Sequence, residues 1–120
     1  MGGVIMEQKR VTIGVAKAIG KAGYWGNFHR RCVVEEIVDS ERLIIDFDGT
    51  LEVKKVPSYC DVWLWLWREK GYRIREEITK ITIYNNSEFG LSAQLDNLTN
   101  DPEEAIEAAI KYIVDNGLLK

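Results

Sequence analysis

Two groups of side chains in this sequence have the chemistry to hold a ligand. Tyr24, Trp25, Phe28, Arg30 and Arg31 fall in one loop-like segment, and Trp63, Trp65, Trp67, Arg73 and Arg75 fall in another. Aromatic faces stack on bases or other rings, and the planar guanidinium fork pairs with phosphates or carboxylates. His29 is the single histidine, with Cys32 and Cys60 the two thiols. A Cys–His pair is a nucleophile-and-base combination, but no third group or local signature accompanies it, and one histidine excludes a histidine-rich metal site.

The elements that must position these residues read as follows. Cys32 to Val38, Leu43 to Phe47 and Leu51 to Val56 form an antiparallel meander with turns at Asp39-Ser40-Glu41 and Asp48-Gly49-Thr50. A three-residue loop at the second turn pairs Phe47 with Leu51 and Ile45 with Val53, giving one clean apolar face, and is preferred to a two-residue loop. Val62-Trp63-Leu64-Trp65-Leu66-Trp67 is read as a strand. A helix capped by Ser58 with Asp61 and ended by Gly71 is the alternative. The strand reading puts the three tryptophans on one face. With a turn at residues 68 to 71 it sets Trp67 opposite Tyr72 and Trp65 opposite Ile74, with Arg73 and Arg75 on the face of Leu64 and Leu66.

Tyr72 to Tyr84 is a β-leaning stretch whose period breaks between Ile78 and Ile81, which predicts a bulge or bend near Thr79. A loop at Asn85-Asn86-Ser87 would pair Ile83 with Phe89 and Ile81 with Leu91. The last element is a helix from Pro102 to Asn116. Asp101 caps it, Pro102 opens it, Glu104 completes a capping box, and Gly117 stops it with Leu118 folding back. Val11, Ile13 and Val15 alternate as a strand, although Val15 to Ala22 also suits a helix, and a Gly-rich loop is expected after about residue 18.

Asp46-Phe47-Asp48-Gly49-Thr50-Leu51, preceded by Leu43-Ile44-Ile45, resembles the first motif of the haloacid dehalogenase phosphatases. The resemblance implies Asp46 as nucleophile, Asp48 as general acid and a Mg²⁺ ion held by both. The chain departs from the family in having 42 residues before that strand and 69 after Leu51, too few for the remaining parallel strands and helices. A hairpin turn at Asp48-Gly49 accounts for the same residues. Gly14 to Lys21 looks like a phosphate-binding P-loop, but five residues separate its glycines where four are required, and Ala22 stands in place of Ser or Thr.

The 120 residues match one domain, residues 1–120, with 46% hydrophobic and 29% charged side chains. A net charge of −3 argues against whole-domain affinity for nucleic acid. Residues 1–31 hold six basic side chains and one acid, while residues 88–120 hold seven acids and two lysines. Either the two ends attract within one chain, or one end meets a neighbouring subunit. No apolar run is long enough to span a bilayer, and no stretch resembles a signal peptide, so the expected location is cytoplasmic with both thiols reduced.

These readings combine into an α+β fold: a mostly antiparallel meander sheet of five to seven strands with a C-terminal helix on one face. A strand apolar on both faces needs a second covering layer, and another copy of the chain is the simplest one. The expected function is a non-enzymatic, homo-oligomeric binding protein without a cofactor. Its pocket for an anionic or nucleotide-like small ligand is lined by Tyr24, Trp25, Phe28, Arg30, Arg31, Trp65, Trp67, Arg73 and Arg75. The alternatives are a protein-interaction module whose partner meets the acidic C-terminal third, and the Mg²⁺-dependent phosphatase.

Overall fold

A computed structural model describes residues 9–26, 32–85, 90–99 and 101–119. The fold is α+β, but its strands form two three-stranded antiparallel sheets rather than one meander. Sheet one holds β1 (Cys32–Ile37), β2 (Arg42–Phe47) and β3 (Thr50–Lys55) in that order. Sheet two holds β4 (Tyr72–Glu76), β5 (Lys80–Asn85) and β6 (Gly90–Asp96). A helix, α2 (Tyr59–Lys70), separates them in sequence. The N-terminal helix α1 is Ile13–Lys21 and the C-terminal helix α3 is Pro102–Asp115.

The segment expected as the tryptophan strand is α2, which is why the meander divides. Its ends are specified locally. The Ser58 hydroxyl accepts from the Asp61 amide at 3.1 Å, and the Asp61 carboxylate accepts from the Ser58 amide at 3.2 Å, closing a capping box. Gly71 takes a left-handed conformation, φ 73°, and donates its amide to the Leu66 carbonyl. Tyr59, Val62 and Leu66 then make a narrow buried stripe. Six consecutive apolar residues cover a helix all round, and here the surplus, with Leu64 39% and Trp67 40% exposed, remains at the surface.

The N-terminal alternation gives way to α1 in the same manner. Thr12 caps it, accepting from the Val15 amide, and Val15, Ala16, Ile19 and Gly20 form its buried face. Its helical turns run through Lys21, past the residue 18 at which a loop was expected. Gly20 marks a close approach: a Cβ there would stand 3.2 Å from both the Trp25 ring and the Val34 side chain on β1.

Sheet one departs from its expected register. The β2–β3 turn has two residues, with Phe47 paired to Thr50 and Ile45 to Glu52. Asp48 and Gly49 both have positive φ, 53° and 94°, as a type I′ turn requires. The Asp46 carboxylate accepts the Gly49 amide at 2.7 Å and holds the turn. Turn chemistry thus overrides the apolar pattern. Leu43 and Ile45 enter the core, while Leu51 and Val53 lie on the outer face, 65% and 63% exposed. The β1–β2 turn is tied by Asp39, which accepts the Glu41 and Arg42 amides and chelates the Arg42 guanidinium.

In sheet two the period break near Thr79 is the turn between β4 and β5, with Ile74 facing Ile83 and Glu76 facing Ile81. Ile83 pairs with Ala93 and Ile81 with Leu95, not with Phe89 and Leu91. An irregularity at Ile83/Tyr84 shifts the ladder. Residues 86–89, where that loop was placed, lie outside the described residues.

Helix α3 ends as its sequence signals. Gly117 has φ 64°, and the Leu118 amide donates to the Ile113 carbonyl at 3.0 Å. At its start the Asp101 carboxylate caps the Glu103 amide, but Glu104 accepts the Thr99 hydroxyl instead of closing a capping box. Ala105, Ala109, Ile110 and Ile113 pack into one core with Ile19, Leu43, Ile45, Val62, Leu66, Ile81 and Ile83. The opposite charges of the two ends meet inside the chain. Glu107, 6% exposed, lies 2.8 Å from both Lys9 and Lys111, and the Lys9 amide donates to Glu103 at 2.8 Å.

The molecule is a plate of 48 × 45 × 20 Å with a radius of gyration of 15.2 Å. A compact chain of this length would have about 13.6 Å. One layer of helix and one of sheet fit that thickness, so the outer face of β3 has no cover among the described residues.

Candidate functional site

The helix rearranges the aromatic residues. On a strand, Trp63, Trp65 and Trp67 would share one face. On α2, Trp63 and Trp67 are four apart and lie together, whereas Trp65 points about 200° away from Trp63. Two aromatic groups result in place of one pocket wall.

The first group joins α2 to the turn after α1. Tyr24 meets Trp25 edge-to-face at 4.9 Å and Trp65 at 5.3 Å, and the Lys70 ammonium lies 5.6 Å from the centre of the Trp65 ring. Tyr24, Trp25 and Trp65 are each half-buried and pack on the core. Burial, followed by the nearby Asp61 charge, raises the Tyr24 phenol above its ordinary pKa, so it stays a neutral hydrogen-bonding group.

The second group lies where α2 hands over to β4. Trp63 and Trp67 meet edge-to-face at 5.8 Å. The left-handed turn at Gly71 brings the Arg73 guanidinium over Trp67, 4.3 Å from the ring centre. That distance is a close cation–π contact. Trp67 keeps 40% of its surface exposed, and no carboxylate among the described residues pairs with Arg73. The Trp63 indole nitrogen is buried with no partner among the described residues, so its neighbours hold it by packing.

The nine expected ligand-binding residues divide accordingly. Tyr24, Trp25 and Trp65 come together, and Trp67 and Arg73 come together. Arg75 follows Arg73 on the same face of β4 but pairs with Glu77 at 3.3 Å. Phe28, Arg30 and Arg31 lie outside the described residues. The expected hairpin that set Trp67 opposite Tyr72, and Arg73 beside Leu64 and Leu66, does not form, because β4 pairs with β5. Trp63 and Lys70 belong to the two groups and were absent from the expected lining. Their signal is the helical spacing from Trp67 and from the Gly71 stop.

Asp46 holds its own turn, and among the described residues no group of three or more His, Cys, Asp or Glu is placed to hold a metal ion. Glu35, Asp46 and Asp48 line a shallow cleft, without the parallel sheet on which a phosphatase motif would sit. Gly14 and Gly20 lie within α1, not in a phosphate-binding loop. Cys32 and Cys60 are unbridged and half-buried, and burial raises both thiols, lowering their thiolate content. His29 lies outside the described residues. No helix of the described residues is long and apolar enough to cross a membrane.

In comparisons with protein-family models, curated proteins and solved structures, nothing matched this chain.

Proposed function

We propose that the chain is a non-enzymatic, homo-oligomeric binding protein that takes an anionic, ring-bearing small ligand of nucleotide-like chemistry at Trp67 and Arg73. The observation that carries this reading is the 4.3 Å stacking of a guanidinium, with no carboxylate partner among the described residues, on a part-exposed indole. The ring holds the guanidinium in place and leaves its N–H edge open to a phosphate, while the uncovered indole surface accepts a stacked base.

Tryptophan fluorescence titration with adenosine monophosphate, adenosine and inorganic phosphate tests it. Adenosine monophosphate should quench saturably, and Arg73→Ala and Trp67→Ala should each weaken binding by about tenfold or more. No saturable change, or equal affinity in Arg73→Ala, would overturn the assignment.

The protein-interaction reading has one observation in its favour. Ile78 and Leu98 are 94% and 93% exposed at one end of sheet two. Asn97 ties the two loops together, donating its side-chain amide to the Glu77 carbonyl and its backbone amide to the Thr79 carbonyl. Binding of adenosine monophosphate retained in an Ile78→Ser/Leu98→Ser variant and lost in Arg73→Ala supports the ligand site. Absence of binding in every form, wild type included, favours the interaction module.

A further inference from the structure

β3 is a free edge of sheet one: β2 lies on one side, and no described strand lies on the other. The two-residue turn closes on the Phe47–Thr50 pair, which in such a hairpin is hydrogen-bonded. Alternation then directs the backbone N–H and C=O groups of Leu51, Val53 and Lys55 to the open edge. The same three side chains lie on the outer face of the sheet, where Leu51 and Val53 are the exposed apolar pair.

Edge strands are commonly blunted by charge. Glu52 and Lys54 do this on the other face, within 3.4 Å of each other. Their order makes the edge selective instead of closed. Two β3 strands related by a two-fold axis run antiparallel, and hydrogen bonding requires outward-directed residues to face one another.

Few registers satisfy that condition. Centring on Glu52 sets this carboxylate against its own copy. Centring on Lys54 does the same for two ammonium groups. Centring on Leu51 leaves Lys54 and Lys55 beyond the overlap. Centring on Val53 sets Val53 against Val53, Leu51 against the aliphatic stem of Lys55, and Glu52 against Lys54 on both sides of the axis. The two Glu–Lys pairs then occupy non-hydrogen-bonded positions, where side chains approach most closely.

We propose that β3 is a homodimerisation edge that pairs with a second copy of this chain about Val53, joining two three-stranded sheets into one of six strands. The occupant is named by charge complementarity, because this is the one register among those four that overlaps fully without opposing like charges. The proposal rests on the homo-oligomeric part of the reading above and is independent of the ligand.

Sedimentation velocity of the full chain, up to roughly 100 µM and without ligand, tests it. Wild type should be a dimer. Glu52→Lys and Lys54→Glu should each sediment as monomers alone, because each sets like charges across the axis. An equimolar mixture of the two should recover the dimer mass, since each variant supplies the charges the other lacks. Val53→Pro, which removes an outward N–H but none used by β2, should be a folded monomer by circular dichroism. A wild-type dimer indifferent to both charge variants would overturn the edge assignment and leave the oligomer standing. A monomer throughout would overturn both.

Discussion

Arg73 lies over Trp67 at 4.3 Å, and Gly71, between α2 and β4, together with Tyr72, the first residue of β4, accounts for the contact. Gly71 reverses the chain with a left-handed turn, and Tyr72 anchors the new strand by donating its hydroxyl to the Leu118 carbonyl at 2.7 Å. Helix end, strand start and the C-terminal turn after α3 are thereby joined at the candidate site.

The capping box of Ser58 and Asp61 closes the N-terminus of α2. Ser58→Ala removes the hydroxyl that accepts the Asp61 amide. The expected loss is about 1 kcal/mol of folding stability, measured by urea denaturation. An unchanged midpoint would mean that packing alone holds α2.

Gly20 is the contact point between α1, Trp25 and β1. Gly20→Leu should cost about 1–3 kcal/mol by overpacking, beyond any gain in helix propensity. The tryptophan emission should shift to the red as Trp25 is pushed outward. Unaltered emission in a folded variant would contradict the close approach.

Glu107 links the two ends of the chain. Burial pushes its carboxyl up, but hydrogen bonds from Lys111 and Lys9, reinforced by their charges, bring it below the ordinary carboxylate value. A lowered folded-state value means that the unfolded chain takes up the proton first. This stabilisation is therefore complete at neutral pH and is lost as pH falls below the ordinary carboxylate range and through the lowered value. Glu107→Gln should reduce stability at pH 7 by about 1–2 kcal/mol, because its partners are part-exposed and well solvated. The difference from wild type should shrink in acid, as thermal melts across pH would record.

Asp46 separates a turn from a catalytic motif. Asp46→Asn keeps an oxygen that can accept the Gly49 amide, so the melting temperature should move little. The phosphatase alternative requires Mg²⁺-dependent hydrolysis of p-nitrophenyl phosphate by wild type that Asp46→Asn abolishes. The expected outcome is no Mg²⁺-dependent hydrolysis by either form.

Local signals in this chain specify its element ends. Asp101-Pro102 and Gly117 bound α3, Ser58 with Asp61 and Gly71 bound α2, and Asp48-Gly49 makes a turn, all through hydrogen bonds or φ values spanning a few residues. The aromatic and Arg inventory of the candidate site was legible in the same way. Period was the weaker guide. Val62 to Trp67 is apolar at every position, so alternation cannot distinguish strand from helix there, and the cap residues carry the information. Leu51 and Val53 match a core-facing pattern, yet the turn's positive φ values set a register that faces them outward. Which partner each tryptophan meets was not legible from sequence. Trp65 reaches Tyr24 and Trp67 reaches Arg73 because a 100° step per residue parts the tryptophans, and the packing of α2 beside α3 and β4 decides where each flank falls. That packing depends on burying Val62, Leu66, Ile110 and Ile113 together, a condition that only the assembled chain imposes.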